Sequence, residues 1–298
     1  MKDFCIYTVN VGGYDYIQQP AVVDQRFDYI LFTDESITEF EGVWRKKTIP
    51  FLSADKSQLS RYPKMHPSEL LKEYKASLYI DANIQIANAD IYNKIVALFE
   101  KGVEWGSIAH SDRDCIYDEA YTVMTRGIET EDNVFRWCHY LRKNAYPRHN
   151  GLYENNIIYR KHDELVKQVD DQWWNLYLHN SRRDQLTLCF VLQQFPELNR
   201  DLLLPVNENS WNSKCFHRVN KHNSSSRQKQ TESIFVHYRN RIRGNVPYME
   251  KRFKDFHYFL YGLPPCIAKI LLLFWTIYVI IRYGFQVKYE AYKRRNGK

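Results

Sequence analysis

The chain has 298 residues, 44% of them hydrophobic and 26% charged, a globular composition long enough for one large domain or two small ones. Its formal charge of +7 is unevenly placed: residues 1–213 carry 24 Lys/Arg against 31 Asp/Glu, residues 214–243 carry 8 against 1, and residues 244–298 carry 10 against 3. An acidic front with a basic tail excludes a general nucleic-acid binder, whose positive face would be spread over the fold. It suits a body whose end meets anionic phosphate, of a lipid or of a nucleotide.

In chain order, Phe4 to Val9 reads as a buried strand, with Asn10-Val11-Gly12-Gly13-Tyr14-Asp15 as the loop after it. Asp28 to Asp34 is a second strand ending in an acid, and Val43 to Ile49 a third. His66-Pro67-Ser68-Glu69 opens a helix. Leu78-Tyr79-Ile80 then runs as a strand into Asp81-Ala82-Asn83. Ile91, Ile95, Leu98 and Phe99 form a helical stripe closed by Gly102, and Trp105 to His110 is another strand. Helices are expected over 115–126 and 131–145, a strand over 151–159, and helices over 163–179 and 183–195. Alternation of this kind predicts an α/β fold, with a mixed, mainly parallel sheet flanked by helices. Ligands of such sheets bind beyond the carboxyl ends of the strands. Asn10–Asp15, Asp34, Asp81 with Asn83, and His110–Asp114 are therefore expected to converge on one edge. Residues 220–231 are polar and read as a loop.

Asp81 and Asn83 carry the first chemical reading. A carboxylate at a buried strand end needs a partner, and a divalent cation bound through oxygens is one; a plain turn capped by the amide is the other. His237 ends an apolar run and is followed by Arg239, Arg241 and Arg243. An imidazole there is suited to complete a metal site, and guanidinium groups suit a diphosphate. Ser181 or Asp184 is suited to cap the helix that follows, or Asp184 and Gln185 to face a reacting sugar. Asp112 and Asp114 are placed to cap a helix or to act as a base. Asn155 and Asn156 interrupt a strand and either bind an acceptor or mark a bulge. The six cysteines form no C-x-x-C pair and read as reduced buried thiols. No leader precedes the first strand, so the active part is expected in the cytosol.

Together, Tyr7-Thr8-Val9-Asn10-Val11-Gly12-Gly13-Tyr14-Asp15, Phe32-Thr33-Asp34, Tyr79 to Ile84, Arg113 to Ala120, Gly151 to Asn156 and Ser181 to Gln185 resemble the glycosyltransferase-like domain of plant mucilage and turgor-related proteins. Bacterial members of that family occur in surface-polysaccharide clusters. The resemblance covers about residues 3–240. More distantly the layout is similar to the glycogenin and lipopolysaccharide galactosyltransferase family of the GT-A fold. It implies a hexosyltransferase with a nucleotide-sugar donor, UDP-linked, a Mn²⁺ or Mg²⁺ ion, and a glycan or lipid-linked acceptor. Carried over, donor binding falls on Tyr7, Thr8 and Asp15, to which Asp34 and Arg61 are added; metal binding falls on Asp81, Asn83 and His237. Sugar contact falls on Asp184 and Gln185. Asp112, Asp114 and Asp184 are the candidate bases. The second acid of the family's D-x-D is Asn83 here, one negative charge fewer. A non-catalytic glycan-binding scaffold and a sugar nucleotidyltransferase are the competing expectations; for the latter, the Gly12-Gly13 loop lacks its usual lysine.

Leu263 to Ile281 is interrupted only by Lys269 and is flanked on both sides by basic residues. A spanning helix needs about 20 apolar residues and would carry one basic cluster across the membrane. The pattern therefore favours attachment in the interface at the cytoplasmic face, through residues 256–298, over a single span. The expected division is a catalytic domain over 1–245 and a membrane-associating segment over 246–298.

Overall fold

The computed structural model describes residues 2–34, 40–219, 240–244, 246 and 248–296. It divides into two compact units, residues 1–114 with 151–226 and residues 115–150 with 227–298.

The first unit is built on an eight-stranded sheet of order β3-β4-β2-β1-β5-β8-β7-β9. The central strands are β1 (Phe4–Asn10), β2 (Phe27–Thr33) and β5 (Ala76–Ile80), mutually parallel and apolar on both faces. That composition is what a sheet covered on both sides requires. β4 (Trp44–Thr48) continues the parallel run, and β3 (Phe40–Glu41) closes that edge antiparallel. β8 (Tyr153–Lys161) runs against both β5 and β7 (Trp105–Ala109), and β9 (Arg200–Leu202) lies parallel to β7. The sheet is thus mixed and mainly parallel, as the alternation of elements predicts. Because β8 is reversed between them, β5 and β7 point the same way. The carboxyl ends of β2, β1, β5 and β7 share one edge.

On one face, Ile6, Leu78, Ile80 and Tyr159 pack with Ile91, Tyr92, Ile95 and Leu98 of α3 (Asp90–Glu100). Ile84 and Ile86 of β6 (Ile84–Ile86) and Phe216 of β10 (Phe216–Arg218), an antiparallel pair, join that cluster. The other face carries α1 (Lys56–Met65), α6 (Glu164–His179) and α7 (Asp184–Gln194), with the short α2 (Pro67–Leu70) following α1. The sequence pattern does not give α1: it has no apolar period and holds Pro63. Its signal is Asp55, whose carboxylate accepts from the Ser57 and Gln58 amides as an N-cap.

The second unit holds α4 (Ile116–Thr125), α5 (Glu131–Lys143), α8 (Met249–Leu260) and α9 (Pro265–Asn296). Tyr117 meets Tyr258 edge-on at 5.2 Å, and Phe135 meets Tyr261 at 5.2 Å. This aromatic packing draws residues 115–150 to the C-terminal helices. The cysteines are free; Cys5, Cys115, Cys138 and Cys189 are buried, and Cys266 is exposed.

Candidate active site

The carboxyl end of β5 runs into Asp81. The Asp81 amide donates to the Asn156 carbonyl (2.8 Å), extending the β5–β8 ladder by one residue. The Tyr79 hydroxyl donates to Asp81 Oδ1 (2.7 Å). Burial, and then the Asp81 charge, push the Tyr79 phenol well above its ordinary range, so it stays a donor. Asn83 is buried, and its amide donates to the Val219 carbonyl (3.1 Å) while the Val219 amide donates back to the Asn83 carbonyl (2.9 Å). That pairing, at the end of β10, fixes which way the Asn83 side chain points.

Asp184 opens α7, and its carbonyl accepts from Trp173 Nε1 (3.0 Å), which anchors the helix start on α6. Its carboxylate is buried and meets two cations of α1: Lys64 Nζ at 2.6 Å and Arg61 Nε at 3.3 Å. Burial alone would raise the Asp184 carboxyl; Lys64, Arg61 and Arg183 outweigh it and hold the group well below the usual carboxylate range. Lys64 is 3% exposed and lies 4.8 Å from the Tyr79 ring centroid. Burial lowers its ammonium against the pull of Asp184 and Asp81. Lys64 thus lies between the Asp184 carboxylate and the ring of Tyr79, whose hydroxyl donates to Asp81. Gln185 Nε2 donates to the Tyr153 carbonyl (2.9 Å), joining α7 to the start of β8.

Beneath this lies a sealed layer. Tyr7 is fully buried; its hydroxyl accepts from Arg160 and donates to the Lys64 carbonyl (3.4 Å). Arg160 in turn pairs with Asp170 at 2.6 Å. The Tyr7 side chain thus belongs to the buried layer beneath Lys64. Thr8 is buried as well, and its hydroxyl makes no hydrogen bond.

The start of β8 supplies a carboxylate that the sequence reading passes over. Asn156, opposite Asp81, donates to Glu154 Oε2 (3.1 Å) and to Ser210 Oγ (2.8 Å). Strand alternation puts residues 154 and 156 on one face; reading that period from Asn156 would have found Glu154. Asn156 is 8% exposed, and its Oδ1 makes no hydrogen bond. Asn155 is buried with neither amide atom bonded. Trp211 is half exposed, with Arg218 at 4.6 Å from its ring.

The loop after β1 reaches the same edge. Asn10 accepts from the Asp15 amide (3.1 Å) and donates to its carbonyl (3.0 Å), and the Gly12 amide donates to Asp34 Oδ1 (2.7 Å). Gly12 has φ +61°, and a Cβ there would sit 2.5 Å from Lys56 Nζ. Lys56, in the first turn of α1, therefore gives this glycine loop the lysine that its own sequence lacks. Asp112 and Asp114 are exposed in the turn after β7, where His110 Nδ1 accepts from the Asp112 amide (3.1 Å).

His237 and Arg239 lie outside the described residues. Among the described residues no group of three or more His, Cys, Asp or Glu gathers as a metal cluster would. The turn offers a carboxylate at Asp81 and an amide oxygen at Asn83, the donor type a hard divalent cation takes but fewer than its usual number.

No protein-family model matches the chain, and no curated protein matches it. Among solved structures the chain is similar to core-mannan synthase A (CmsA/Ktr4) from Aspergillus fumigatus, in its Mn/GDP form, at 9% identity. The match covers 68% of this chain and 73% of that one, with a TM-score of 0.42. A likeness at that level carries no weight for mechanism.

Proposed function

We propose that the chain is a glycosyltransferase of the GT-A type, moving a sugar from a nucleotide-sugar donor to a glycan or lipid-linked acceptor in surface-polysaccharide assembly. The observation that carries this reading is the buried Asp184 held by Lys64 and Arg61, with Lys64 over the ring of Tyr79, whose hydroxyl donates to Asp81, at the carboxyl edge of a mixed sheet. The six sequence runs that resemble the plant and bacterial glycosyltransferase-like family support it.

Breaking a glycosyl–phosphate bond leaves positive charge on the anomeric carbon and negative charge on the diphosphate. Asp184, held ionised and rigid, stabilises the first charge. Lys56 and the amino end of α1, beside the Gly12 loop, receive the second, with Asp15 and Asp34 shaping the loop. Asp81 and the Asn83 amide oxygen, with His237, are the residues to hold Mn²⁺ or Mg²⁺, which when bound supplies further charge against the diphosphate. Glu154, which accepts from Asn156 beside Asp81, is the base for an acceptor hydroxyl in an inverting transfer. Gln185 is the group to face the cation in a retaining one. Free buried thiols suit a reducing compartment, at the cytoplasmic face of the membrane.

The test is release of nucleoside diphosphate from a panel of nucleotide sugars, UDP-linked ones among them, with Mn²⁺ or Mg²⁺ and glycan acceptors. Asp81→Ala is expected to lower turnover at least about 100-fold. It leaves only the Tyr79 hydroxyl without its partner, about 1 kcal/mol of stability. Full turnover in that variant refutes the role of Asp81. Glycan binding without transfer from any donor would instead favour the scaffold.

A further inference from the structure

The outer face of α9 is apolar and uncovered among the described residues. Within Pro265–Gly284 an 18-residue window has a mean hydropathy of 1.8. Ile267, Ile270, Phe274, Tyr278 and Ile281 are exposed, the last at 72%, and Phe259 at the end of α8 is exposed beside them in sequence. Their spacing of three and four places the α9 residues on one stripe. Ala268, Leu272, Thr276 and Val279 form the opposite stripe and are buried within the second unit. Phe256 of α8 stacks on Trp275 at 4.6 Å, and Lys269 pairs with Asp132 of α5.

A helix that crosses a bilayer meets hydrocarbon around its whole circumference. Here one stripe of that circumference, Ala268, Leu272, Thr276 and Val279, is already packed. Crossing would strip the 268–279 stripe and break the Lys269–Asp132 pair, or would draw α5 in with Asp132, Arg136 and Lys143. Lying flat keeps both. The charge around the stripe matches an anionic surface: Lys251, Arg252 and Arg282 are exposed, and residues 282–298 hold six basic residues against one acidic.

We infer that α9 docks face-on to an anionic bilayer surface, inserts only its outer stripe, and does not cross. This stands apart from the sugar-transfer reading and uses none of its residues.

The experiment is flotation of the full chain with preformed phosphatidylcholine vesicles, with and without phosphatidylglycerol. Binding is expected only with the anionic lipid, weakening as salt rises. Ile270→Glu with Phe274→Glu is expected to weaken binding at least 10-fold, with the circular dichroism spectrum and thermal midpoint unchanged because both side chains are exposed. Protease added outside the vesicles is expected to remove a tag placed after Lys298. Protection of that tag shows crossing and overturns the inference. So does binding that the double substitution leaves intact. No flotation, with a dimer in sedimentation that the double substitution makes monomeric, assigns the stripe to a second copy and overturns it too.

Discussion

Lys64→Met isolates the ion pair beneath the active edge. The substitution keeps an unbranched stem against the Tyr79 ring and removes the ammonium 2.6 Å from Asp184. Asp184 is 5% exposed, so its charge is left in a dry site with Arg61 at 3.3 Å as the remaining near cation. Removing one member of a buried pair costs about 3–5 kcal/mol, and the surviving Arg61 puts this case at the lower end, about 3 kcal/mol. That is roughly a 150-fold rise in the opening equilibrium of the sheet. Amide hydrogen exchange in β1 and β5, read by mass spectrometry, measures it directly. The sign with pH follows from Asp184. Its folded carboxyl lies below the unfolded one, so the pair's contribution is present above the ordinary carboxylate range and lost as pH falls through it. The gap between variant and parent should therefore narrow at acid pH. A second substitution, Asp184→Asn on the Lys64→Met background, should recover part of the loss because the buried carboxylate is gone and the Arg61 it leaves is partly exposed. Protection unchanged at neutral pH, or a double variant worse than the sum of the singles, would refute the reasoning.

His162 gives a second pH dependence. Its Nδ1 donates to the Leu71 and Tyr74 carbonyls (3.1 and 3.0 Å), so Nε2 accepts from the Ser77 hydroxyl (2.8 Å). Burial, and then the Arg160 charge, lower it to about 4, so folding favours the neutral ring. Stability is expected to hold above the unfolded value of about 6.5 and to fall by about 2–3 kcal/mol towards pH 4; His162→Asn should flatten that slope in urea titrations. At the edge itself, Glu154→Gln keeps an acceptor for Asn156 and removes the base. Inverting transfer should drop about 100-fold or more in kcat with the fold intact. An unchanged kcat with an altered KM would make Glu154 a binding group only.

The strands β1, β2 and β5 are legible in the sequence because they are buried on both faces and end in polar turns. The turn at Asp81 is legible for the same reason. Lys64 is not: it lies 120 positions from Asp184, on a helix without an apolar period, and a lysine in such a stretch reads as a solvated charge. Glu154 is hidden by the direction of β8. Only once that strand is known to run against β5 does Asn156 fall opposite Asp81 and Glu154 fall beside it. The second unit leaves no local signal, since Tyr117 and Phe135 find Tyr258 and Tyr261 across more than a hundred residues of chain.

The reversal of β8 has a topological result. Chain leaving β7 at Ala109 and chain entering β8 at Tyr153 stand side by side, and the His110 amide donates to the Leu152 carbonyl (2.8 Å). The excursion between them, about 40 residues, is clamped at its stem. Loop-closure entropy rises only about 0.6 kcal/mol per doubling of length, so lengthening or shortening such an excursion barely taxes the sheet. Residues 115–150 can thereby change in length at little cost to the register of β5, β8 and β7, while Tyr117 and Phe135 hold the segment to Tyr258 and Tyr261.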